Sequence, residues 1–298
     1  MRKIALLLSV ALLCTGLSGC ASWGMAEEAQ SAGSGKMTVV STSVAICEIL
    51  DALGVDTVIG IPETANELPE KYRSLPEVGA PMSPDYEIIK ALAPDIVLSP
   101  KTLEGSIAPN YTAAGINSAF LDLSSVEGMY MAIRSLGKLL GCEAQAEKLA
   151  SVYDGYMESY RAEDAKQPSI LLLMAFPDGF YLVATEKSYV GNLVKLAGGK
   201  NVYDDSFHGD ENGFVSINPE DMIQRRPDRI LVFAHYAEKD AFAFMKKEFA
   251  AGTAWEYYDA AKEGRIDYLP AEYFGMSATL SWSKGLDYLR PIFYGEQG

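Results

Sequence analysis

The stretch Glu87-Ile-Ile-Lys-Ala-Leu-Ala-Pro94-Asp95-Ile-Val-Leu-Ser99 recurs about half the chain later as Glu220-Asp-Met-Ile-Gln-Arg-Arg-Pro227-Asp228-Arg-Ile-Leu-Val-Phe233. In each copy a proline lies shortly upstream (Pro84, Pro219), a glutamate falls in the first helical turn, and Pro-Asp immediately precedes an apolar run. Proline has no amide hydrogen to donate and its ring crowds the turn before it, so it ends a helix. The spacing therefore predicts a short helix feeding a buried strand, twice. A repeat this long is no solenoid unit; it marks two equivalent α/β lobes, with a ligand site expected in the cleft between them.

Outward from the repeat, short β-rich runs alternate with amphipathic helices, which predicts α/β layers with largely parallel sheets. In the first half, 38–42, 58–60, 96–99 and 118–121 read as strands and 43–53 as a helix capped by Ser41, Thr42 or Ser43. In the second half, 169–176, 180–184, 230–234 and 266–269 read as strands, the first closed by a Pro177-Asp178-Gly179 turn. From Ser125 to about residue 165 the pattern is helical, broken only near Gly141-Cys142, and its second part reads as one long helix joining the lobes. The expected layout is a lobe over 37–141, a connecting helix over 142–166 and a second lobe over 167–298.

Ahead of the lobes, Met1-Arg2-Lys3 is followed by a short apolar stretch and then Leu17-Ser18-Gly19-Cys20. A basic start, a brief apolar region and small residues at a cleavage point make a secretory signal over 1–19, too short to stay as a membrane span. The polar, Gly- and Ser-rich segment 20–36 reads as a flexible tether. Within it Gly33-Ser34-Gly35-Lys36-Met37 is no phosphate loop, because no strand precedes it and methionine follows the lysine. Without residues 1–19 the chain keeps 23 basic against 40 acidic residues, a formal charge of −17. That balance argues against nucleic acid, which demands clustered lysine and arginine. Cys47 and Cys142, the cysteines of the body, allow a single disulfide, but their flanks read as helices in a sizeable core, so two buried free thiols are the expectation.

Leu17-Ser-Gly-Cys20 resembles the bacterial lipobox, which implies that Cys20 is acylated and holds the protein at the extracytoplasmic face of the membrane. The body, over roughly residues 38–295, resembles the periplasmic-binding-protein family that delivers iron siderophores, vitamin B12 and haem to ABC importers. The resemblance implies two lobes that move little about one long helix. It also implies an exposed glutamate on each lobe that meets the permease; Glu87 and Glu220 stand in those places. Within that family, Val78-Gly-Ala-Pro-Met82-Ser-Pro-Asp85 and Phe233-Ala-His235 resemble the axial-ligand segments of the haem-binding lipoproteins of Gram-positive iron-regulated surface uptake systems. Met82 and His235 are then the haem-iron ligands, a thioether–imidazole pair suited to low-spin iron. After His235 the chain departs from the family pattern: Tyr236-Ala237 replaces a small, proline-containing turn.

Haem also needs apolar walls and anchors for its propionates. Wall candidates are Phe176, Phe180, Tyr181, Tyr189, Tyr273, Phe274, Met276 and Trp282, with Met276 and His208 as reserve ligands; Thr42, Ser43 and Val44 offer backbone N–H groups at a helix start. A siderophore or cobalamin carrier would share the fold and the glutamates, but the chain has few arginines outside Arg225, Arg226 and Arg229 to hold an anionic ferric siderophore. Two histidines are too few for a zinc shell or for much acid–base chemistry, and no nucleophile elbow, zinc-protease pair or dinucleotide fingerprint is present. The expectation is a monomeric, non-enzymatic carrier that hands haem to a permease and its ATPase.

Overall fold

A computed structural model describes residues 36–160, 167–204, 206–207, 210, 212–217, 219–250 and 252–295. The signal, Cys20, His208 and nearly all of the tether lie outside these residues. The first half runs β1 (Val39–Ser41), α1 (Val44–Ala52), β2 (Val58–Gly60), β3 (Gly79–Ala80), β4 (Ser83–Pro84), α2 (Tyr86–Leu92), β5 (Ile96–Pro100), α3 (Glu104–Ala114), β6 (Ser118–Leu121) and α4 (Val126–Leu140). The chain continues through α5 (Glu143–Ser159), β7 (Ser169–Ala175), β8 (Tyr181–Ala184), α6 (Tyr189–Leu196), β9 (Lys200–Asn201), β10 (Phe214–Val215) and α7 (Pro219–Gln224). It ends with β11 (Arg229–Ala234), α8 (Glu238–Glu248), α9 (Asp259–Lys262), β12 (Ile266–Tyr268) and α10 (Trp282–Tyr294).

Two sheets result. The first, in order β2-β1-β5-β6, is parallel throughout. The second, β10-β8-β7-β11-β12 with β9 beside β7, is parallel in its centre and antiparallel at β8 and β10. The antiparallel edge follows from the Pro177-Asp178-Gly179 turn, whose Gly179 adopts φ 93° and folds β8 back on β7.

The sequence repeat is a structural repeat down to single bonds. α2 and α7 each lead into the central strand of a sheet, and the residue before each proline, Ala93 and Arg226, adopts the left-handed conformation (φ 47° and 44°) that turns the chain. Asp95 Oδ2 accepts from the Thr38 amide (2.7 Å) and hydroxyl (2.8 Å), while Thr38 Oγ1 accepts from the Asp95 amide. Asp228 Oδ2 accepts from the Ser169 amide (2.8 Å) and hydroxyl (2.7 Å), and Ser169 Oγ accepts in return. Each clasp joins the amino ends of two parallel neighbours, β1–β5 and β7–β11, and sets their register. Hydrogen bonds from Thr38 hold the Asp95 carboxyl below its ordinary 3.8, so the clasp contributes stability above that pH that is lost as pH falls through the lowered value. Thr38→Ala is expected to return the Asp95 carboxyl toward 3.8 in a carbon-detected NMR titration and to weaken the acid limb of unfolding.

The connecting segment differs from a solitary helix. Gly141, at φ 68°, reverses the chain between α4 and α5, which form an antiparallel hairpin in which Gly137 leaves no room for a Cβ against Ala146. The hairpin is tied to α10: the Trp282 Nε1–H donates to Tyr130 Oη (3.0 Å), and Tyr156 Oη donates to Asp287 (2.9 Å). One apolar core runs without a break from Val39, Ile49 and Leu98 through Met129, Ile133 and Leu136 to Leu172, Val190, Phe233 and Leu286. Separate clusters cover the outer face of each sheet, around Val97 and Tyr111 in the first and Val232 and Trp255 in the second. Shared burial of this kind resists lobe displacement, since interiors are close-packed.

Candidate functional site

Ligands in open α/β sheets lie beyond the carboxyl ends of the strands. At that rim of the first sheet, Ile61 receives the segment returning at Pro76–Val78, and Glu63 N–H donates to Gly79 O, so the β3–β4 hairpin hangs beside the end of β2. Gly79 takes φ 87°, and a Cβ there would meet Asp85 N and Ser83 O at 2.9 Å. The hairpin loop is Pro81-Met82, and Met82 is 71% exposed, an unusual place for a large apolar side chain. One strand over, β1 ends at the start of α1. Thr42 cannot serve there as an amide donor, because its N–H already donates to Leu98 O (3.1 Å) and its hydroxyl lies 2.9 Å from Ser99 Oγ. The amides left are those of Val44, in the first turn, and Ser43, which reaches Ser41 Oγ only at 3.4 Å.

At the rim of the second sheet, β11 delivers His235 and β7 delivers Phe176, held together by the His235 amide donating to Ala175 O (3.0 Å). Strand alternation puts both side chains on the face of the shared core, with Phe233 and Met174. Phe176 stacks on Phe180 (centroids 4.1 Å, 12°), and the His235 ring lies 5.0 Å from Phe176 and 5.5 Å from Tyr236. His235 Nδ1 is enclosed, with no hydrogen-bond partner. Burial lowers its pKa from 6.5, so the imidazole is neutral, the form that binds metal. Because Nδ1 is walled in, Nε2 is the nitrogen this ring has to offer a ligand. Tyr236 Oη donates to Asp178 Oδ2 (2.7 Å), a bond that raises the phenol pKa and keeps it protonated.

Other candidates fall elsewhere. Tyr181 lies opposite Ala175 on the outer face, against Trp255, and not beside His235; the alternation of β8 puts it there. Tyr189, Phe274 and Trp282 are core residues without an exposed face to offer as walls. Tyr273 and Met276, partly buried against the shared core, follow β12 at the same rim as His235, in a segment pinned to the first half by Ala278 N–H on Leu123 O (2.7 Å). A cavity of about 400 Å³, within the range of small-molecule clefts, opens between the ends of β5 and β6 (Lys101, Glu104, Asp122, Ser124) and Asn212 of the second half. Sequence reading passed over these residues, because their pattern is that of ordinary loops. Glu87 projects into solvent, its side chain 87% exposed, from a helix capped by Asp85. Glu220 occupies the equivalent first turn of α7, and its side chain is outside the described residues.

Residues 39–273 match the periplasmic binding protein family. The chain belongs to that family. Its members here are binding proteins and not enzymes. It is 33% identical over 300 residues, the whole of both chains, to the high-affinity heme uptake system protein IsdE of Staphylococcus aureus (strain MRSA252). Among solved structures it resembles an ABC transporter substrate-binding protein from Listeria monocytogenes EGD-e (TM-score 0.81, 35% identity, 88% of this chain and 100% of that one). It also resembles S. aureus IsdE complexed with heme (TM-score 0.80, 34% identity, 87% and 100%). A periplasmic binding protein works outside the cytoplasm, and among the described residues no helix is long and apolar enough to cross a membrane.

Proposed function

We propose that the protein is the lipid-anchored binding component of an ABC importer and captures haem between its lobes for iron acquisition. The observation that carries this reading is His235: a neutral imidazole at a strand end, framed by Phe176 and Tyr236, in a chain 34% identical to a relative solved with heme. Met82, on its exposed loop, supplies the thioether from the first half, and the two close on the iron from opposite faces of the porphyrin. Phe180, 47% exposed and stacked on Phe176, offers an apolar wall, with Tyr273 and Met276 beyond β12. The amides of Ser43 and Val44 at the start of α1 take a propionate, which helix N-termini favour. Cys20 carries the lipid anchor.

Haemin titrated into the body, residues 21–298, is expected to give a saturable one-to-one low-spin spectrum. No saturable band would sink the reading in favour of a siderophore or cobalamin carrier on the same fold. Delivery runs through Glu87 and Glu220, one per lobe, onto basic residues of the permease. A Glu87→Ala, Glu220→Ala double variant is expected to bind haemin normally yet lose haem-dependent growth in cells; wild-type growth would remove the docking role.

A further inference from the structure

A ligating histidine is ordinarily oriented by a hydrogen bond from its second ring nitrogen to a carboxylate or carbonyl, and that partner sets ring angle and basicity. His235 has none: Nδ1 is buried and unpartnered, and what surrounds the ring is aromatic. Tyr236 contacts both His235 (5.5 Å, 76°) and Phe176 (6.3 Å, 78°), so the three rings pack against one another. Half of Tyr236 is exposed, so packing alone does not fix it. Its hydroxyl does, by the 2.7 Å bond to Asp178 in the turn that joins Phe176 to Phe180. The next residue, Ala237, is held at φ 46°, a conformation disfavoured outside glycine, so the segment leaving His235 has its backbone constrained as well.

Resting on the haem reading above, we propose that Tyr236, latched to Asp178, is a positioning residue for His235: the Tyr236–Asp178 bond holds the imidazole at its ligating angle in place of a hydrogen bond to Nδ1. Without a carboxylate or carbonyl on Nδ1 the imidazole is a less basic ligand, and a less basic ligand releases its iron more readily, which suits a protein that passes its cargo on. The latch supplies orientation without adding bond strength.

The test uses haemin-loaded protein, read by visible spectroscopy and by the rate of haemin transfer to apomyoglobin. Tyr236→Phe and Asp178→Ala are each expected to add a high-spin component and speed transfer roughly tenfold, the lower end of what losing outer support costs a metal ligand. The double variant should be no worse than either single change. Asp178→Asn, whose amide oxygen still accepts from the phenol, should retain the low-spin spectrum. Unchanged spectra and rates in the first two variants overturn the proposal, as does Asp178→Asn behaving like Asp178→Ala. In the haem-free protein, Tyr236→Phe should shift the ring-current-displaced proton resonances of His235, assigned with His208→Gln. If they stay put, the latch fails even where haemin binds, whereas a wild-type protein that never binds haemin sinks the haem reading and this proposal with it.

Discussion

His235→Ala is expected to weaken haemin binding by about a hundredfold and Met82→Ala by about tenfold, which is roughly 2.7 against 1.4 kcal/mol. The asymmetry follows from the two sites. The His235 ring is held among Phe176 and Tyr236 before any ligand arrives, and burial has already made it neutral, so coordination costs neither ordering nor loss of a proton. Met82 has three rotatable bonds on a loop 71% open to water and must be ordered when it binds. In His235→Ala the iron keeps at most a thioether, and the low-spin spectrum should collapse to high spin; in Met82→Ala the imidazole remains and a five-coordinate or water-ligated form is expected. The pH dependence has a definite sign. Because the His235 pKa lies below 6.5, a proton competes with iron only under that value, and affinity should be flat above it and fall below. Equal loss in the two variants would contradict the preorganisation argument, and no loss in either would move the ligands elsewhere.

Local chemistry was legible in the sequence where neighbours in the chain carry it. Pro-Asp after a short helix can do little except stop the helix and start a strand, and both copies do so. The segment bearing Met82 was legible only through its resemblance to the family, and the short β3–β4 hairpin it forms was not read from the sequence. What failed depended on register or depth. Tyr181 was read as a wall, but the face it takes depends on β8 pairing with β7 through Ala175, which composition does not state. The Thr42 amide was offered to a carboxylate, yet β1 pairing with β5 extends one residue further and takes it. Aromatic residues such as Tyr189, Phe274 and Trp282 look alike as pocket walls and as core until packing decides. The Tyr236–Asp178 bond joins residues 58 apart, so Tyr236-Ala237 was visible only as a departure from the family pattern.

Trp282→Ala is the substitution expected to cost most stability, about 3–5 kcal/mol, the range for emptying a buried tryptophan site. Trp282 is 2% exposed and meets three rings edge-on: Tyr130 on α4 at 6.4 Å, and Tyr153 and Tyr156 on α5 at 5.4 and 4.9 Å. Its indole N–H is bonded to Tyr130 Oη, so truncation leaves a cavity and a buried hydroxyl without that donor. Against a typical total of about 5–15 kcal/mol, such a loss is a large fraction. Location makes it more than a local defect. Trp282 belongs to α10, in the second half of the chain, and all three partners belong to the α4–α5 hairpin that joins the halves. The control is Trp255→Ala, similarly buried (3%) but packed against Phe249 and Tyr258 within the second half. Both should lower the urea midpoint comparably, but only Trp282→Ala should broaden the transition toward two steps and loosen haemin binding in protein that is still folded. The cleft keeps its shape because the core beneath it is continuous, and Trp282 ties α10 to the α4–α5 hairpin within that core. A Trp282→Ala protein that unfolds in one sharp step and binds haemin like the wild type would show that the rest of the seam holds the lobes unaided.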